Sequence, residues 1–308
     1  MNKKNEENTV EMINKEYIKI LYSKEYRLGK RIYKIKNSLK NMDFKNLINY
    51  LIAFKTQKKL NKISNGYSIE EIKYNAGNKK YNNYAVYTCI TNNYDKIFEP
   101  YFLNTDYFLF TDNLILDENS IWKKKNIPDK IKKFKGNKIN RYCKMHPFEL
   151  LDGYDFSIYI DGNVQVVSDI SGLCDIAKES KCGIAMHQHP NRNCTYIEAK
   201  ACEICHRGNI EKIHKQMRKY RKEKFPEKFG FCEATIIVCD LKNPVAKKIM
   251  SDWYDEFCKS ESERDQLALP YVIWKNGYNM SDIGNLGNNL LFNPLFRINN
   301  LGEHKVLR

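Results

Sequence analysis

From residue 83 onward, short β-branched and aromatic runs alternate with helical stretches, and no other feature constrains the fold as tightly. The strand candidates are Tyr84–Thr91, Tyr107–Thr111, Phe156–Ile160, Gly183–His187 and Ala234–Cys239. Between them the apolar spacing predicts helices around Lys138–Leu151, Ser171–Lys181, Ile197–Arg207, Ile210–Lys224, Val245–Lys259 and Arg264–Lys275. Neighbouring parallel strands need a crossover long enough for a helix, so this rhythm builds a mostly parallel sheet covered by helices on both faces. The expected class is α/β and Rossmann-like, with ligands beyond the carboxyl ends of the strands.

The first 80 residues read differently. They hold 17 Lys and 2 Arg against 7 Glu and 1 Asp, which is +11 of the chain's net +15. Apolar residues recur at helical spacing (Ile13, Tyr17, Ile20, Leu21; Leu28, Ile32, Ile35; Leu47, Ile48, Leu51, Ile52), with no strand-like run and no proline. The pattern predicts two or three amphipathic helices with basic outer faces, ending near Gly66 to Gly77. Residues 1–80 are therefore read as a basic helical arm and 81–308 as the catalytic domain. Such an arm suits an anionic membrane surface or a homo-oligomer contact. No nucleic-acid-binding signature accompanies the charge, so a nucleic-acid partner is not expected.

With 42% hydrophobic residues the chain can build a large core, and no apolar run approaches the roughly 20 residues of a membrane-spanning helix. The start (MNKKNEENTV) lacks the apolar stretch of a secretory signal, so a cytoplasmic protein, peripheral at the inner face of the membrane, is expected. The ten cysteines then read as reduced thiols that mostly fill the core. Cys202-Glu-Ile-Cys205-His206 matches the spacing of haem attachment, but it lies in a helical stretch and lacks a second close-spaced ligand pair for zinc.

Three of the strands end in polar residues able to face one crevice: Thr91-Asn92-Asn93-Tyr94-Asp95, Thr111-Asp112-Asn113 and Asp161-Gly162-Asn163. Each alone suits an ordinary turn. Three on successive strands suggest a site, because an acid ending a buried strand is costly unless paired, metal-bound or open to a crevice. Two enzyme classes place acid-x-acid after an apolar strand. A phosphatase of that type needs an acid where Asn163 stands. A-type glycosyltransferases use the pair to hold a divalent cation with the ribose and diphosphate of a sugar nucleotide, and Asp-Gly-Asn keeps two oxygen ligands for Mg or Mn with one charge. The glycosyltransferase reading fits better.

The segments ITNNYD (90–95), FTDN (110–113), RYCKMHP (141–147), YDFSIYIDGN (154–163), HPNRNCTYIEA (189–199) and ERDQLALPY (263–271) together resemble the plant and bacterial TOD/MUCI glycosyltransferase-like domain. The resemblance spans roughly Tyr84 to Lys275. It implies an A-type glycosyltransferase fold, a nucleotide-sugar donor, and an oligosaccharide or lipid-linked glycan acceptor in surface-polysaccharide synthesis. The arm segment SKEYRLGKRI (23–32) is similar to stretches ahead of catalytic domains in bacterial polysaccharide glycosyltransferases.

In that reading Thr91, Asn92 and Asp112 line the nucleoside pocket. Arg141 and Lys144, three apart on one helical face, clamp the diphosphate or else form an ordinary basic surface. Asp161 and Asn163 carry metal and ribose contacts, with His187 completing the metal shell or touching the acceptor. His189, Arg192 and Gln266 fall on the acceptor or sugar side. Asp265, Glu233 and Glu198 are the candidate catalytic carboxylates, although Asp265 is equally a helix cap and Glu198 a helix-start acid. A sugar-phosphate nucleotidyltransferase shares the sheet type but carries a Gly-rich loop after its first strand, and 92–95 has no glycine. The non-enzymatic alternative is a nucleotide-sugar-fold scaffold that has lost catalysis, with Asn163 as its mark.

Overall fold

The computed structural model describes residues 3–41, 44–63 and 73–299. Three helices come first: α1 (Lys3–Tyr22), α2 (Lys24–Lys40) and α3 (Phe44–Ile63). The α/β unit follows as β1 (Tyr84–Ile90), β2 (Asp106–Thr111), β3 (Trp122–Asn126), α4 (Gly136–Met145), α5 (Pro147–Leu150), β4 (Phe156–Ile160), β5 (Val164–Val166) and α6 (Leu173–Glu179). Then come β6 (Ile184–Gln188), α7 (Thr195–Ile204), α8 (Ile210–Lys222), β7 (Cys232–Asp240), α9 (Pro244–Ser260), α10 (Leu269–Lys275), β8 (Gly284–Asn285) and β9 (Phe296–Ile298).

Seven strands form one sheet in the order β3-β2-β1-β4-β7-β6-β8. All are parallel except β7, which runs antiparallel to both β4 and β6. The A-type architecture expected from the sequence is the one observed. β1 is buried along its whole length, as a central parallel strand must be. Its alternate side chains enter two cores: Ala85, Tyr87 and Cys89 face the layer of α4 and α9, while Tyr84, Val86 and Ile90 face the layer of α6.

β3 escaped the sequence reading because its residues are WKKKN. Trp122 alone is buried, and the lysines protect an exposed sheet edge from pairing with another chain. The stretch expected as one helix over Lys138–Leu151 breaks at His146 before Pro147. Likewise Arg264–Lys275 becomes a 3-10 turn (Asp265–Leu267) followed by α10, with Pro270 at the start of the helix.

The arm departs from expectation in its faces. α1 docks through Asn14, whose side-chain amide donates to the carbonyls of Pro294 (2.8 Å) and Phe296 (3.0 Å), and through buried Ile18. The periodic stripe Ile13, Tyr17 and Ile20 is exposed instead of packed. The expected end of the arm near Gly66 lies outside the described residues, and Gly77 is reached after them. No described helix is long and apolar enough to cross a membrane.

Candidate functional site

The carboxyl ends of β1, β2 and β4 lie side by side, with Ile90 opposite Thr111 and Tyr87 opposite Tyr159. Thr91, Asp112 and Asp161 therefore emerge at one edge of the sheet. Asn92 and Asn93 take left-handed φ angles of 56° and 50°, a conformation asparagine tolerates better than most residues. This turn aims the Asn92 backbone N–H at both oxygens of the Asp112 carboxylate, 3.1 Å from each. Beside the turn is a cleft of about 410 Å³ lined by Asn92, Thr111, Asp112, Asn126, Ile127, Lys132, Phe134, Gly136 and Ile139. It combines apolar and aromatic walls with a few polar groups, as small-molecule sites do. Gly136 is required there, since a Cβ would lie 2.3 Å from the Asn92 side chain and 2.8 Å from that of Thr91.

Helix α4 leads from this cleft to a charged centre. From Gly136 to Lys144 is eight residues, about 12 Å along the axis. Lys144 is buried, with its Nζ 3.4 Å from Asp265 Oδ2 and 3.7 Å from Asp161 Oδ1. Arg141 Nε lies 3.3 Å from the same Asp265 oxygen. The Tyr159 hydroxyl donates to Asp161 Oδ1 (3.0 Å), and the Lys144 ammonium sits 4.9 Å from the Tyr159 ring centre. The Asp161 side chain remains 39% exposed, against 6% for Asp265, so Asp161 faces the crevice while Asp265 lies beneath it. Burial alone would raise the Asp265 pKa, but Arg141, Lys144 and Arg264 outweigh it and hold the carboxyl well below its usual range. Trp253 is fully buried and donates its indole N–H to the Asp265 carbonyl (2.7 Å).

A second centre adjoins the first through Arg264. Glu198, buried near the start of α7, pairs with Arg192 Nε and stands 3.8 Å from Arg264 Nη2. The Cys202 thiol donates to Glu198 Oε1, the oxygen that faces Arg264, at 3.7 Å. Glu233 on β7 shares this environment: burial pushes its pKa up to about 7, with Arg192 opposing and Glu198 adding to the rise. Arg192, Glu198, Cys202 and Arg207 border a smaller cleft of about 260 Å³, whose opposite wall is Gln57, Leu60 and Asn61 of α3. The arm thus contributes to the edge of the site.

A family model described as TOD1/MUCI70, glycosyltransferase-like domain, matches residues 36–283, about four-fifths of the chain. The chain belongs to the TOD1/MUCI70 family. Comparison with curated protein sequences finds no match. Among solved structures, the WbbM bifunctional glycosyltransferase is 12% identical with a TM-score of 0.41, over 71% of this chain and 40% of that one. This TOD1/MUCI70 chain thus spans well under half of WbbM's length. The mannosyltransferase Ktr4p from S. cerevisiae is 11% identical with a TM-score of 0.36, over 73% and 75% of the two chains. The galactosyltransferase LgtC, in complex with donor and acceptor sugar analogs, is 12% identical with a TM-score of 0.33, over 60% and 69%.

Of the TOD1/MUCI70 chain's expected site residues, Asn92 and Asp112 meet at the cleft, with Thr91 beside them donating to the Gly136 carbonyl (3.2 Å). Arg141, Lys144, Asp161 and Asp265 meet at the first charged centre, and Arg192, Glu198 and Glu233 at the second. His187 does not join them. It is fully buried in the core, its Nε2 accepts from the Asn293 side chain (2.9 Å), and burial drops its pKa to about 3. His189 is also buried, its Nδ1 accepting from the Asn191 N–H (3.1 Å), and it borders the second centre, where burial and then the Arg192 charge lower its pKa to about 3. Gln266 donates to the Cys232 carbonyl (2.8 Å), beside Glu233. Asp265 is not a helix cap: Arg264 occupies that position and makes no side-chain capping bond.

The fold family implies a divalent cation at Asp161-Gly162-Asn163. Gly162 has to be glycine, because a Cβ would lie 2.8 Å from Ile90. Partly exposed Asp161 offers one carboxylate and buried Asn163 an amide oxygen, its amide nitrogen donating to the Asn299 carbonyl (3.3 Å). Hard oxygen donors of this kind suit Mg or Mn completed by a diphosphate and water. Among the described residues no three His, Cys, Asp or Glu side chains gather as a metal set. The sequence reading missed Asn126, Lys132, Phe134 and the bridging role of Arg264. Phe134 follows a lysine run and looked like loop, and Arg264 is adjacent to Asp265, which was its one signal.

Proposed function

We propose that this protein transfers a sugar from a nucleoside-diphosphate donor to a hydroxyl of a glycan acceptor in surface-polysaccharide synthesis. The observation that carries the reading is the continuity of the site: a nucleoside-sized cleft at the β1 and β2 ends, joined by one helix to a buried cationic centre beside Asp161. The base would lie against Phe134 and Ile127, with Asn92 and Asp112 at its polar edges. The diphosphate would then reach Lys144 and Arg141.

Asp265 is the counter-ion that fixes these two cations. A carboxylate held so far below the usual range is a weak proton acceptor, so Asp265 positions charge and takes no proton. As the anomeric bond breaks, Lys144 and Arg141 offset the charge growing on the leaving diphosphate. A cation held by Asp161 and Asn163 would supply further Lewis acidity to the same oxygens. The acceptor would enter on the side of Arg192 and Glu198, in the cleft that α3 borders. Glu233, with its pKa near neutrality, is the carboxylate suited to receive the acceptor proton.

The test is thermal stability with UDP, GDP, CDP, CMP and dTDP, each with and without Mn, since a ligand of the folded state raises the midpoint by mass action. One nucleotide should stabilise the protein, and Lys144→Met should weaken that shift. Asp161→Ala should abolish only the Mn-dependent part. A flat response to every nucleotide, in both metal conditions, sinks the donor-site reading and leaves a scaffold without catalysis.

A further inference from the structure

Thirteen of the twenty large apolar side chains that stand exposed among the described residues lie in α1, α2 and α3. Contiguous apolar surface of this kind marks an interaction site on an otherwise well-packed protein. Its organisation is clearest on α2. Leu28, Ile32, Ile35 and Leu39 follow at helical intervals and form one stripe, and they are 59%, 44%, 39% and 56% exposed. The helix reaches its neighbours from another side, where Ser38 is its buried residue. Lys24 and Arg31 flank the stripe on one edge, and Lys36 with the acid Glu25 on the other. The 17-residue helix carries seven Lys and Arg against the single acid Glu25.

We propose that α2 is an interfacial helix that lays this stripe on an anionic lipid surface. A stripe meant for a second protein would be closed by polar partners of matched charge. Here the polar side of the helix is strongly cationic, with seven Lys and Arg against one acid, as on helices that lie in the plane of a membrane, with the apolar face in the acyl boundary and the cations among the headgroups. The helix is about 25 Å long, so its stripe engages the surface as one strip. α1 pins this arm to the α/β unit through Asn14, and α3 borders the cleft at Arg192 and Glu198. Docking by α2 therefore holds that cleft beside the bilayer, where a lipid-linked molecule is concentrated.

The test is vesicle co-sedimentation of the full chain, which reads binding without any assay of transfer. Vesicles of phosphatidylcholine with 30% phosphatidylserine should pull down the protein, and phosphatidylcholine alone should not. Each basic side chain at such a surface strengthens partitioning about fivefold, so Lys24→Glu/Arg31→Glu/Lys36→Glu should weaken it by roughly a hundredfold or more. Ile32→Ser/Ile35→Ser should remove binding with only a small fall in melting temperature, because each residue is more than a third exposed and neither belongs to the core. Equal binding to both vesicle types, or full binding by the Ile32/Ile35 variant, overturns the proposal. So does a concentration-dependent dimer in lipid-free solution that the same variant dissolves, since the stripe would then belong to a second copy of the chain.

Discussion

Asp265→Asn replaces the one oxygen that buried Lys144 and partly buried Arg141 share, at nearly constant volume, so its effect is electrostatic and no cavity opens. Arg141 and Lys144 lie 3.3 Å and 3.4 Å from Asp265 Oδ2. At an effective dielectric of about 20, each contact is worth about 5 kcal/mol of attraction before solvation. Asp161, 3.7 Å from Lys144 and partly in solvent, compensates for only part of the loss. Breaking a buried pair by removing one partner costs about 3–5 kcal/mol. In a domain of this size that lowers the melting temperature by about 6–20 °C. Calorimetry at pH 7 measures it directly. Adding Lys144→Met should recover part of the loss, because the second change removes one stranded charge, and the double-mutant cycle should show coupling of about 1–3 kcal/mol. The sign with pH follows from the depressed carboxyl of Asp265: the unfolded chain, with its ordinary value of 3.8, takes up the proton first. Stability from this group is present above about pH 4 and is lost as pH falls below it. A loss under about 1 kcal/mol for Asp265→Asn, or simple additivity with Lys144→Met, would refute the counter-ion assignment.

Other outcomes follow from the same geometry. Glu233, held up at about 7, keeps a proton that the unfolded chain releases above its ordinary 4.5, so it costs stability as pH rises from about 4.5 to about 7, and the full cost stands above that. Glu233→Gln should therefore stabilise the protein at pH 8 more than at pH 5, while transfer falls by about 10²–10⁴; equal midpoint shifts at the two pH values would contradict this. Buried neutral His187 and His189, both near 3, make stability fall as pH drops from 6.5, where the unfolded chain protonates. His187→Gln should flatten that slope in a pH series of unfolding curves, whatever its effect at pH 8. Phe134→Ala should weaken binding of the preferred nucleotide by about 5–150-fold in titration calorimetry, the range for losing one base-stacking ring, and unchanged affinity would move the base elsewhere.

Much of the fold was legible because the sheet is buried. The runs YAVYTCI, FSIYI and ATIIVC are continuous apolar strands, which only a two-sided core requires. The polar residues closing β1, β2 and β4, namely Asn92, Asp112 and Asp161, then had one edge to share. What stayed hidden was whatever local composition masks. The lysines of β3 conceal an edge strand. The fates of His187 and Gln266 turn on Asn293 and the Cys232 carbonyl, 106 and 34 residues away.

Arm and catalytic unit divide along the same line. The sequence alone determined the charge of the first 80 residues, the helical period of the arm and the α/β rhythm, because these are properties of neighbours along the chain. Only the tertiary structure decided that Asp265 sits under Lys144 and Arg141, that Glu233 shares its surroundings with Glu198, and that the α2 stripe faces outward. Those facts depend on the distance between groups far apart in sequence, and both Coulomb energy and burial are functions of that distance.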